Sequence, residues 1–118
     1  MTIYDLEDRT RRFALEVRIL TRSIQKIPSS ADDLKQLVRS SGSVAANFIE
    51  ANEALSRRDY IYRVKVCRKE AKESSLWLVL LGTGLPPLLE EKRRVLLKES
   101  QELVLIFASI LRNCGAIK

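Results

Sequence analysis

Apolar residues recur at alternating steps of four and three along four separate segments of this chain. That period is the buried seam of antiparallel helices packed about 20° from parallel. The segments are separated by Pro28, by the Gly82–Pro87 cluster, and by Ser-x-x-Asp capping boxes that begin at Ser30 and Ser56. We therefore predict four helices, at about 4–27, 31–55, 57–82 and 88–114.

Four such segments of similar length, joined by short connections, predict an all-α fold: an antiparallel up-down-up-down four-helix bundle. At 118 residues the chain is the size of one domain, so we expect residues 1–118 to form a single bundle. The predicted stripe of the second helix is Leu34, Val38, Ser41, Ala45, Phe48, Asn52 and Leu55. That of the third is Tyr60, Val64, Cys67, Ala71, Ser74, Leu78 and Leu81, and that of the fourth is Leu89, Arg93, Leu96, Ser100, Leu103, Phe107, Ile110 and Cys114.

The composition argues against an enzyme. Histidine is absent, and the two cysteines, Cys67 and Cys114, lie too far apart in sequence for a zinc motif. Glu70 and Glu73 resemble half of a carboxylate metal site, but bundles of that class also need Glu-x-x-His pairs. No glycine-rich phosphate loop or nucleophile elbow is present. We expect no catalytic residue, no metal site and no cofactor.

A membrane location is not expected either. The apolar run "LWLVLLGTGLPPLL" is 14 residues long and is interrupted by glycines and prolines, whereas a spanning helix needs roughly 20 residues. The opening residues "MTIYDLEDRT" carry acids where a signal peptide would have a basic and then an apolar stretch. We therefore expect a cytoplasmic protein.

Positive charge is concentrated on the third predicted helix, which carries seven cations and three acids. On a helical wheel six of these cations share one side of the helix, which we call the basic flank. Repeated in a symmetric oligomer, such a flank attracts phosphate backbones. The alternative is a solvated face whose cations pair with acids of the second helix. The basic flank consists of Arg57, Arg58, Lys65, Arg68, Lys69 and Lys72.

A second apolar stripe is predicted roughly opposite the buried side of the same helix. It consists of Tyr62, Val66, Trp77 and Leu80. Because a helix in a monomeric bundle needs only one buried side, this stripe predicts an interface between subunits. The alternative is that Trp77 and Leu80 tuck under the following turn.

Residues 41–81 resemble a bacterial four-helix bundle family encoded by intervening sequences of large-subunit ribosomal RNA genes. The family is historically described as a ribosomal protein and is related to the accessory variability determinant of diversity-generating retroelements. The matching residues are Ser43, Ala46, Asn47, Glu50, Ser56, Arg57, Arg58, Asp59, Tyr60, Ile61, Glu70, Ala71, Trp77 and Leu78.

The resemblance implies a homopentameric, barrel-like assembly without enzymatic activity. Its retroelement relatives are basic and act with a reverse transcriptase and nucleic acid. Together with the basic flank, this predicts an accessory factor that binds RNA or DNA and works with a reverse transcriptase or another protein. The competing hypothesis is a protein assembly scaffold with no nucleic-acid role.

Two polar residues of the second helix, Asn47 and Glu50, are predicted to lie away from its buried stripe. Such side chains do not serve packing within the subunit, so we predict a hydrogen-bond network between subunits. The alternatives are a simple exposed polar face or an ion pair between Glu50 and a neighbouring arginine.

Overall fold

The computed structural model describes residues 3–24, 31–82 and 84–118. It contains four helices and no strand among those residues, which confirms the all-helical class. The C-terminal end predicted for the first helix, residues 25–27, lies outside the described residues, as does the capping box at Ser30. The helices are α1 (Ile3–Ile24), α2 (Ala31–Asn52), α3 (Arg57–Leu80) and α4 (Pro87–Asn113).

Neighbouring helices run antiparallel. Glu7 near the start of α1 accepts a hydrogen bond from Asn52 Nδ2 at the end of α2 (2.8 Å), whereas Arg18 Nη2 further along α1 donates to the Val38 carbonyl (3.3 Å). α1 packs against α2 and α4, and α3 also packs against both of them. The result is an up-down-up-down bundle with principal extents of 44 × 23 × 22 Å.

The core is built around three fully buried phenylalanines, Phe13, Phe48 and Phe107. The rings of Phe48 and Phe107 lie 6.0 Å apart, centroid to centroid, in a tilted arrangement. The stripe predicted for α3 is buried from Val64 to Leu81, with Tyr60 partly buried at its start.

The start of α3 follows its predicted capping box. Ser56 has extended backbone angles (φ −144°, ψ 158°), and its hydroxyl accepts a hydrogen bond from the Asp59 amide at 3.1 Å. α2 ends at Asn52 rather than at residue 55, so Leu55 lies in the connection and is fully exposed. Placing Leu55 on the buried stripe was wrong, because the helical period does not continue past Asn52.

Gly42 of α2 lies against the guanidinium group of Arg18 in α1. A Cβ atom added there would lie 2.8 Å from Arg18 Nη2, the same nitrogen that donates to the Val38 carbonyl.

Within the described ranges, no helix is long and apolar enough to cross a membrane.

Candidate nucleic-acid and subunit interfaces

The three acids of α3 lie on the side of the helix that faces α2. Arg39 of α2 lies 3.0 Å from Glu73 and 3.3 Å from Glu70, and Arg63 lies 4.0 Å from Asp59 within α3 itself. The three acids of α3 and Arg63 therefore lie on a different side of the helix from its other six cations.

The basic flank lies on the other side of α3 and is largely open to solvent. Arg58, Lys65, Lys69 and Lys72 are exposed, and Arg68 is partly buried with its Nε lacking a hydrogen-bond partner. Arg57 donates to the main-chain carbonyl of Cys114 at the end of α4. None of the six cations forms an ion pair with an acid in the described part of the chain. The pairing with acids of α2 that the solvated-face alternative assumed is therefore not observed there.

Glu70 is the most buried acid near this site. Burial raises the pKa of its carboxyl group above the ordinary value of 4.5, and the negative charge of Glu73 raises it further, whereas the positive charges of Arg39 and Lys69 lower it. Because burial and the second carboxylate outweigh the two cations, the folded chain disfavours the ionised form of Glu70.

The outer apolar residues of α3 do not form a stripe opposite the core. Tyr62 and Leu80 are exposed, but Val66 and Trp77 are partly buried, and Trp77 packs against the core cluster. The indole N–H of Trp77 is buried and has no hydrogen-bond partner. The position of Trp77 fits the alternative prediction, packing within its own chain, better than the predicted outward placement. Leu80 is exposed.

The exposed side of α3 carries a different stripe, which the wheel did not identify. Its members follow one another at alternating steps of four and three residues, and each is exposed. Its first part is cationic and its last part is aliphatic, so the apolar patch continues the basic one along the helix axis. We call it the outer stripe: Arg58, Tyr62, Lys65, Lys69, Lys72, Leu76 and Val79, with Leu80 beside its end.

Leu76 and Val79 were missed as surface residues. The signal was available, because the four-three spacing of the outer stripe is visible in the sequence. The cations and the apolar residues were sorted into separate groups, so the four-three spacing that they share was not recognised.

Asn47 makes its hydrogen bonds within its own chain. Its Oδ1 accepts from Arg63 Nη1 at 3.0 Å, and its Nδ2 donates to the Ser43 carbonyl at 2.9 Å and to the Ser43 hydroxyl at 3.0 Å. Glu50 is exposed, and no described cation pairs with it. Asn47 thus joins α2 to α3, and a role between subunits stays a prediction for both residues.

A groove runs along the seam between α1 and α4. It comprises adjoining cavities of about 520 and 290 Å³, which share Arg12, Glu16, Val95 and Leu96. Five carboxylates and three cations line the larger cavity, although the whole chain has a net charge of +6. We call this feature the α1–α4 groove.

Cys67 offers no reactive thiol at these surfaces. Cys67 is buried, and burial raises the pKa of its thiol to about 12. Its Sγ donates to the Val44 carbonyl at 3.5 Å. In the described ranges, no group of three His, Cys, Asp or Glu residues is placed to hold a metal ion.

No family model matches the chain, and no curated protein does. Among solved structures, the chain is similar to a protein of unknown function from the S23 ribosomal protein family of Bacteroides thetaiotaomicron. The two sequences are 29% identical, and the structures superpose with a TM-score of 0.79 over 89% of this chain and 96% of the other. The similarity covers nearly the whole bundle and agrees with the resemblance to a family historically described as ribosomal.

Proposed function

We propose that this chain is a non-enzymatic subunit of a homo-oligomeric ring, a pentamer, that binds RNA or DNA through the basic flank of α3. In this proposal it is a cytoplasmic member of the family encoded by ribosomal RNA intervening sequences. It acts as an accessory factor to an RNA- or DNA-processing partner such as a reverse transcriptase.

The observation that carries the proposal is the sorting of charge on α3. Its acids face α2 and pair with Arg39 and Arg63, while the six cations of the basic flank are not ion-paired with any described acid. Unpaired cations along one helix face can release counterions from a phosphate backbone, which is the main source of affinity in sequence-independent binding.

The test is the salt dependence of binding to labelled single-stranded and duplex RNA and DNA. Replacing Arg58, Lys65 and Lys69 with glutamine removes three exposed charges from the flank. We expect affinity to fall at least about tenfold at 50 mM salt. The slope of log K against log salt should fall by about 2–3, because each lost phosphate contact is worth roughly 0.7–0.9.

A matched control replaces Arg22, Lys35 and Lys118 with glutamine, which removes the same charge from exposed positions elsewhere. It should change affinity less than about threefold if binding is local to α3. Equal losses in the two variants would show that net charge alone drives binding. Absence of binding by the unmodified protein at 50 mM salt would leave the protein scaffold as the better hypothesis.

The partner can be identified by recovering the complex from cells. Sequencing of copurifying nucleic acid and identification of copurifying proteins would show whether a reverse transcriptase is among them. Recovery of other proteins without nucleic acid would contradict the proposed accessory role.

A further inference from the structure

Two exposed apolar surfaces of this bundle have no partner within the chain. One is the aliphatic end of the outer stripe, where Leu76, Val79 and Leu80 are each about half exposed. The other is the α1–α4 groove, where Val95 is 59% and Ile19 38% exposed. Because exposed aliphatic clusters of this kind mark contact sites, each surface calls for an occupant.

We propose that the aliphatic end of the outer stripe seats in the α1–α4 groove of the next copy of this chain. The inference rests on the proposed homo-oligomer and specifies how its subunits are joined. The apolar side chains of α3 would cover the groove floor, which is formed by Phe13, Leu20 and Leu96.

The heights of the two surfaces along the bundle support this pairing. The hydroxyls of Ser75 and Ser100 are 2.7 Å apart, so these residues share one height. At 1.5 Å per residue, Val79 of α3 and Val95 of α4 both lie about 6–8 Å from that height, in the same direction. In a cyclic ring whose bundles stand along the ring axis, neighbouring copies are level. The exposed valines of stripe and groove would therefore meet without an axial shift.

The charges of the outer stripe and of the α1–α4 groove also match in height along the bundle. Lys72 of the outer stripe and Glu102 of the groove both lie about 3–5 Å from the Ser75–Ser100 height, in the direction opposite to the valines. The outer stripe contains four cations and no acid, while carboxylates outnumber cations in the larger cavity. Glu102 lies 3.3 Å from Arg9 of its own chain, so Lys72 would bring a second cation to that carboxylate. Lys72, the cation of the stripe nearest its aliphatic end, would thus face the acid-rich part of the groove, an arrangement that electrostatic complementarity favours.

The contact is head-to-tail, because each copy would use its stripe toward one neighbour and its groove toward the other. α3 packs against α2 and α4, and the groove lies between α1 and α4 on another side of the bundle. One copy can therefore make both contacts at once, and closed rings arise from this kind of interface. Arg57, Arg58 and Lys65, at the other end of α3, would stay outside the joint and available to nucleic acid.

Two variants with one defective surface each provide the test. The stripe variant carries Leu76→Glu and Leu80→Glu, and the groove variant carries Ile19→Glu and Val95→Glu. All four positions are exposed, so each chain should fold, which circular dichroism would check. By light scattering we expect an oligomer for the unmodified protein and a monomer for each variant alone.

Mixing the variants gives the decisive measurement. The intact stripe of the groove variant can seat in the intact groove of the stripe variant, and no further contact can form. We therefore expect a 1:1 mixture at about 100 μM, a concentration at which a micromolar joint is occupied, to have twice the monomer mass. A control with Ile49→Glu and Leu55→Glu, exposed residues outside both surfaces, should keep the mass of the unmodified oligomer.

The possible failures are distinguishable. If both variants keep the mass of the unmodified oligomer, these surfaces are not the joint, although the ring itself stands. If each variant dissociates but the mixture stays monomeric, the head-to-tail pairing of stripe and groove is wrong. If the unmodified protein is monomeric at every concentration, the proposed homo-oligomer is wrong as well.

Discussion

The guanidinium of Arg93 in α4 donates a hydrogen bond from Nη1 to the main-chain carbonyl of Leu78 in α3, at 3.1 Å. Leu78 lies in the last turn of α3, where carbonyl groups have no partner within the helix. Glu90 holds the other side of the guanidinium by accepting from its Nη2 at 3.0 Å. Gly82 leaves room for this arrangement, because an added Cβ would lie 3.0 Å from Arg93 Cζ.

Replacing Arg93 with methionine should therefore weaken the junction of α3 and α4. We expect the free energy of unfolding to fall by about 1–3 kcal/mol, because a buried carbonyl loses its charged donor. The measurement is urea unfolding at a fixed protein concentration, since oligomer stability depends on concentration. Arg94→Met is the control: that side chain is 67% exposed, and its loss should matter by less than about 0.5 kcal/mol.

Arg93 also shows how far the sequence could predict the fold. The four-three spacing placed it on the buried stripe of α4, and it is 9% exposed. The spacing could not identify the Leu78 carbonyl as its partner. A helical wheel gives the direction of a side chain within one helix, but it does not say which helix lies on each side. The helices and their order were predictable because each helix has its own period.

The same limit explains why the contacts of Trp77 and Asn47 within the chain were not predicted. Trp77 and Asn47 lie beside the buried stripe, and the wheel treated such positions as facing outward. In a bundle each helix is flanked by two others, so the buried arc is wider than the stripe. Asn47 therefore meets Arg63, and Trp77 packs against the core cluster. The six cations could be grouped as one flank from the sequence, because none of them is ion-paired with an acid in the described part of the chain.

The cap at the start of α3 gives a second prediction. Ser56→Ala removes the oxygen that accepts from the Asp59 amide, so we expect the free energy of unfolding to fall by about 1 kcal/mol. Thermal or urea unfolding followed by circular dichroism would measure it. Ser109→Ala, at an exposed position within α4, should be neutral or slightly stabilising because alanine is the better helix former. Equal losses at the two positions would show that the cap contributes nothing specific.

Asn47 gives a third prediction. Asn47→Ala takes an acceptor from Arg63, whose Nε is already buried without a hydrogen-bond partner, so we expect a loss of about 1–2 kcal/mol in unfolding free energy. The mass measured by light scattering should not change, because these bonds lie within one subunit. Glu50→Ala, at an exposed position, should change neither quantity. A lower oligomer mass for both variants would instead support the predicted network between subunits.

Glu70 gives a prediction about pH. Because its pKa is raised in the folded chain, the folded state holds this proton more tightly than the unfolded state, and stability falls as pH rises from 4.5 through the folded pKa. Glu70→Gln removes this titration. We expect the variant to be at least as stable as the unmodified protein at pH 7, with the advantage shrinking toward pH 4. Urea unfolding at several pH values measures the difference.

Glu73→Gln in the unmodified background should lower the pKa of Glu70 by removing a nearby negative charge. A difference between Glu70→Gln and the unmodified protein that stays constant from pH 4 to 7 would contradict the raised pKa.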